Sequence, residues 1–144
     1  MPADDPHDLQ RFVEAQREVY PAALTELRRG QKRSHWMWFI FPQVAGLGHS
    51  ATAQRYAIRS REEAVAYLRH EVLGPRLQEC AAALLRHRQR RIGDIMGYPD
   101  DLKLRSSMTL FAAVAGDDSV FHQVLAAFYQ GEPDPHTLRF LGSG

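Results

Sequence analysis

Ser34-His35-Trp36-Met37-Trp38-Phe39-Ile40-Phe41-Pro42 is the stretch whose reading decides the fold. By residue type it favours a strand. A strand needs a partner, because its backbone N–H and C=O groups cannot be buried unpaired, and no second strand-like run stands elsewhere in the chain. A short helix, capped by Ser34 and stopped before Pro42, satisfies its own backbone. Apolar on every side, it belongs in the middle of the protein. Met108–Ala115 (MTLFAAVA) is also apolar all round. The expectation is a single all-α domain with two buried central helices, about 34–41 and 101–115, wrapped by amphipathic ones.

The flanking sequence is punctuated accordingly. Residues 1–8 read as a frayed tail and 9–142 as the globular domain. Asp8 is expected to cap a helix carrying Leu9, Phe12, Val13, Gln16 and Tyr20 at helical spacing. Pro21 opens a second helix and Gly30 stops it. Ser60-Arg61-Glu62-Glu63 is a capping box. Gly74-Pro75 opens the next helix, with the stripe Leu73, Leu77, Cys80, Ala81, Leu84. Asp100 and Asp118 are expected to cap two further helices, and Asp134-Pro135 to start a last short one that stops at Gly142.

The composition narrows the function classes. The chain has 144 residues, 44% of them hydrophobic, which suffices for one core without disulfides or structural metal. Cys80 is the only cysteine, so no intramolecular disulfide or cysteine-based zinc site exists, which fits a reducing cytoplasm. The acidic start, without an apolar run, predicts no signal peptide, and Trp36–Phe41 is too short to span a bilayer. Seven histidines show no metal-ligand spacing, and neither a metal nor a cofactor is expected. The formal charge of +1 provides no global field toward nucleic acid or membrane. Two basic clusters, 28–33 and 86–91, follow apolar helical patterns and complement helix C-termini. Contact with an anion or nucleic acid is the alternative reading of both.

Three segments could carry chemistry. The first holds Ser34, His35, Trp36 and Trp38, followed by Gln43; both tryptophans of the chain lie here. A tryptophan pair at a core segment either fills the core or lines a cavity wall. His35 is either a satisfied core histidine or an acid/base. The second is the loop Gly46-Leu47-Gly48-His49-Ser50-Ala51. Its G-x-G-x-x-A pattern lacks the strands of a dinucleotide fold, but glycines admit a ligand to the backbone. The third is Asp100–Phe111, where Ser106 and Thr109 share one helical face and Lys103 and Ser107 a neighbouring one. A lysine entering a buried helix is costly unless it is paired or faces a ligand.

The segments SHWMWFIFPQVAGLGHSATAQRYAI (34–58), YLRHEVLGPRL (67–77) and GYPDDLKLRSSMTLF (97–111) make the chain similar to an uncharacterised bacterial family, a domain of unknown function whose members are often labelled "calpastatin". The resemblance runs from about Leu9 to Leu141. It implies a multihelical fold with two buried central helices, and it carries no activity or cofactor. It adds Tyr56 to the candidate ligand-lining residues. Calpain-inhibitor segments are disordered peptides, whereas helix caps and core stripes here predict a globule.

The resulting expectation is a cytoplasmic domain that binds a small anionic or nucleotide-like ligand, with processing of that ligand as an extension of the same reading. Trp36 or Trp38 would stack a planar group. The loop Gly46, Gly48, His49, Ser50 and Lys103 would hold negative charge. His35 would be the acid/base, and Gln43, Ser34, Ser106, Ser107 and Thr109 the polar lining. The alternatives are a non-catalytic protein-interaction module and, more weakly, a nucleic-acid binder.

Overall fold

The computed structural model describes residues 5–143, and ten helices lie among them. In chain order these are α1 (Gln10–Gln16), α2 (Tyr20–Arg29), α3 (Met37–Ile40), α4 (Ala51–Arg55), α5 (Arg61–Arg69), α6 (Leu73–Leu85), α7 (Ile92–Met96), α8 (Asp100–Val114), α9 (Val120–Tyr129) and α10 (Pro135–Ser143). The all-α expectation holds. Several helix ends follow the local signals: Ser60 Oγ accepts the Glu63 N–H, Pro21 stands in the first turn of α2, and Gly30 ends that helix with φ +74°.

α8 is the central helix, packed against α9, α10, α5 and α7. Its residues Leu104 and Ser106–Ala112 are buried. An aromatic relay crosses the core from α1 to α9. The Phe12 ring meets Tyr67 edge-on at 5.1 Å, Tyr67 meets Phe111 at 5.3 Å, and Phe111 meets Phe121 at 5.9 Å. Each such ring contributes about 1.5–3 kcal/mol by burial, plus about 0.5–1.5 kcal/mol from ring–ring geometry. Cys80 is wholly buried in α6, and burial pushes its thiol up to about 12, so it stays protonated.

The second central helix is much shorter than expected. α3 is a single turn, and Ser34 does not cap it. Glu26 is the reason. Its carboxylate accepts the N–H groups of Arg33 and Ser34, the Ser34 hydroxyl and the Trp36 indole N–H. These bonds hold residues 33–36 out of helix, and the Ser34 hydroxyl is spent as a donor. Trp36, Met37, Ile40 and Phe41 are buried, while Trp38 and Phe39 are half-buried, so this segment reaches the surface on one side.

Three caps also differ. Asp5, not Asp8, caps α1: its carboxylate takes the Leu9 and Gln10 N–H groups, and Asp8 adopts φ +50° instead. Of the tail expected over 1–8, residues 1–4 lie outside the described residues, and 5–8 form this capping turn. Asp100 makes no cap, because Lys32 holds its carboxylate at 2.8 Å. Ser119 caps α9 in place of Asp118, whose φ is +61°.

Among the described residues no strand forms, but a single parallel bridge pairs Val44 with Ile58. Ala45 N–H donates to Ile58 O at 2.9 Å and Ile58 N–H to Gln43 O at 2.8 Å. This bridge closes residues 43–58 into a loop that carries α4. Among the described residues no helix is long and apolar enough to cross a membrane.

Candidate functional site

The closed loop places the predicted site residues. Trp38, Gln43, Gly48 and Tyr56 line one small recess of about 20 Å³. An adjoining recess of about 120 Å³ is lined by Gly46, Gly48, Gln54 and Arg59. The first has room for about one water, and the second suits a single anionic group; pockets for whole organic ligands run to about 300–1,000 Å³. Ser50 Oγ accepts the Ala53 N–H as the cap of α4, so it is occupied, and the exposed His49 uses its carbonyl to hold Gln54.

Space of ligand size lies on the far side of Arg59. A cleft of about 600 Å³ is lined by His7, Asp8, Gln54, Arg55, Arg59 and Ser60, among others. A second, of about 510 Å³, runs between the start of α5 and α10 and includes Arg59, Arg61, His136, Arg139 and Phe140. Arg59 lines both of these and the glycine-loop recess. Its side chain is exposed and reaches only the Gln54 carbonyl, at 3.4 Å. Among the described residues no carboxylate stands within 4.0 Å of it. Sequence reading missed Arg59, because it directly precedes the capping box Ser60–Glu63, whose local role accounts for the segment.

The other predicted residues are dispersed. Trp36 is wholly buried, with its indole N–H on Glu26 at 2.9 Å, and it cannot stack a ligand. Ser34 serves Glu26 as well. His35 is exposed and lines none of the four clefts. Lys103 Nζ lies 5.5 Å from the centre of the Trp38 ring and 3.9 Å from Asp100, outside the recess walls. Asp100 is shared with the nearly buried Lys32, whose ammonium also donates to Ser34 O at 2.7 Å. Burial pushes the Glu26 carboxyl up, but the Ser34, Arg33 and Trp36 donors outweigh it and hold the group at about 2.

Ser106 and Thr109 are fastenings rather than pocket wall. Ser106 Oγ donates to Asp134 Oδ2 at 3.0 Å, and Thr109 Oγ1 accepts the Asp134 N–H at 2.8 Å, pinning the start of α10 to α8. Ser107 is wholly buried, and its hydroxyl has no partner. An unpartnered buried hydroxyl lowers stability. Ser107→Ala is therefore expected to be neutral or to raise the unfolding free energy by up to about 1 kcal/mol, measured by urea titration. A loss above about 1 kcal/mol would mean that the hydroxyl is bonded. Among the described residues no three His, Cys, Asp or Glu side chains converge as metal ligands.

Residues 6–141 match the family described as "Protein of unknown function (DUF1810)". The chain belongs to this family. The crystal structure of the conserved hypothetical protein Rv1873 from Mycobacterium tuberculosis is similar throughout, with 53% identity and a TM-score of 0.93. The match covers 96% of this chain and 99% of that one. No curated protein matches. The DUF1810 chain is thus a helical domain of unknown function, and the compact core gives no support to the "calpastatin" label.

Proposed function

We propose that this domain binds a small anionic ligand, with the charged group held by Arg59 where the glycine-loop recess meets the two larger clefts. The observation that carries the reading is the position of Arg59: one guanidinium, without a carboxylate partner among the described residues, opens onto three neighbouring cavities. A guanidinium presents a planar fork of donors matched to phosphate or carboxylate. The recess suits the anionic group, and the clefts of about 510 and 600 Å³ suit the organic part of a nucleotide-like molecule. Trp38 and Tyr56 form an aromatic wall behind the glycine loop. Lys103 serves as an outlying cation beside Trp38, and His35 has no part in the site. A protein-docking module finds less support, since the large exposed apolar side chains among the described residues are Tyr98, Leu102 and Leu138.

The test is thermal denaturation with ATP or inorganic phosphate. Wild type is expected to gain melting temperature by mass action. Arg59→Ala is expected to keep the unliganded melting temperature, because the side chain is exposed, and to lose at least tenfold in affinity. An unchanged ligand response in Arg59→Ala, or no response of wild type to either anion, overturns the reading.

A further inference from the structure

The two basic clusters stand more than fifty positions apart in the sequence, yet the fold joins them. α2 packs along α6, so their C-terminal ends emerge together. His87 Nε2 donates to the Leu27 and Arg28 carbonyls at 3.1 and 3.0 Å. The Arg90 guanidinium lies over Gly30, with Nη1 in the space that a Cβ there would fill. The backbone N–H of Lys32 donates to Ile95 O at 2.8 Å, so segments 27–33 and 86–95 lie side by side.

Arg28, Arg29 and Arg33 from the first segment are exposed, as are Arg86, Arg88, Arg90 and Arg91 from the second. Arg28 has an open ion pair with Glu79 at 3.4 Å; the others have no carboxylate within 4.0 Å among the described residues. The chain's formal charge is only +1, so seven arginines gathered at one corner leave the rest of the molecule net acidic. One or two cations suffice to complement a helix terminus. The remainder form a field that the mutual repulsion of like charges disfavours unless a polyanion covers it. No Phe, Tyr or Trp lies within 28–33 or 86–91, and the His87 ring is tied to the Leu27 and Arg28 carbonyls, so these segments offer no stacking platform for single-stranded bases.

We propose that this corner binds the phosphate backbone of duplex nucleic acid without reading its sequence. The site is independent of Arg59. The experiment is fluorescence anisotropy of the full chain with a labelled duplex DNA of about 20 base pairs. If about four phosphates are neutralised, affinity falls roughly 100-fold between 50 and 200 mM salt. Arg88→Glu/Arg90→Glu/Arg91→Glu is expected to abolish binding at 50 mM salt while retaining the ATP response assigned to Arg59. Arg29→Glu/Arg33→Glu, in the other segment, is expected to weaken the same complex at least tenfold. No binding at 50 mM salt, or binding unaltered in both variants, overturns the proposal. Equal affinity for poly-glutamate of matched charge also overturns it, by assigning the surface to acidic protein segments.

Discussion

Replacing Arg11 with Met is expected to remove about 3–5 kcal/mol of folding stability. Arg11 stands on α1 and its ion-pair partner Glu63, at 2.7 Å, on α5, each with 5% of its side chain exposed. A charge buried this deeply is tolerated only when its donors are satisfied, and here they are. Nε donates to Arg55 O at 2.8 Å, Nη1 to His7 O at 2.6 Å and Asp8 O at 2.8 Å, and Nη2 to Ala57 O at 3.0 Å as well as to Glu63. One guanidinium thus ties the capping turn, α1, the end of the closed loop and α5 together. Methionine fills much of the volume but leaves the His7, Arg55 and Ala57 carbonyls without this donor and the buried Glu63 carboxylate without its counter-charge.

The double variant separates the charge from the packing. Glu63→Gln retains an acceptor for the Arg59 N–H, which Glu63 Oε1 takes at 2.9 Å, while removing the uncompensated charge. Arg11→Met/Glu63→Gln is therefore expected to be more stable than Arg11→Met alone. Urea denaturation measures both. A loss below about 1 kcal/mol for Arg11→Met would show that water satisfies the freed groups and that the pair is not a keystone.

The second large effect is at Glu26. Its folded pKa, about 2, lies below the ordinary carboxylate value of 4.5. A carboxyl shifted downward by folding adds stability that is fully present above its unfolded pKa and is lost as pH falls through the folded one. The domain should therefore lose part of its stability between about pH 4.5 and pH 2 through this group. Glu26→Gln is expected to cost about 2–3 kcal/mol at neutral pH, because a carboxamide carries one acceptor oxygen and turns a donor toward the donors of residues 33–36. It should also flatten the loss of stability over that acid window. Fluorescence of the buried Trp36, whose indole N–H sits on Glu26 at 2.9 Å, reports the same transition. If Glu26→Gln and wild type lose stability in parallel from pH 4.5 to pH 2, the carboxylate does not organise this segment.

Glu26 also shows why the HWMW segment was only half legible. Its apolar character marked it correctly as packed, and the missing strand partner marked it as helical. Its length was set by a residue eight positions upstream of Ser34, on another helix. The candidate site follows the same pattern. Trp38, Gln43, Gly48 and Tyr56 do converge, because they sit on either side of a loop closed by the Val44–Ile58 bridge. The spacing of Ser106 and Thr109 puts their hydroxyls on one face of α8, but only the position of Asp134 turns that face into a fastening. Arg59, Arg61 and Arg139 carry no local signature at all, being arginines in an arginine-rich chain.

By itself the sequence determined the helical class, the single core and most of the element ends. Caps, breakers and apolar periodicity act within one or two turns of backbone, so they can be read where they stand. Only the tertiary structure decided which charges are buried, which tryptophan faces outward, where the cavities open and that two distant basic clusters share one corner. Those properties belong to partners far apart along the chain. The strength of a hydrogen bond or an ion pair depends on how much water its partners exclude, and that is set only when the helices pack.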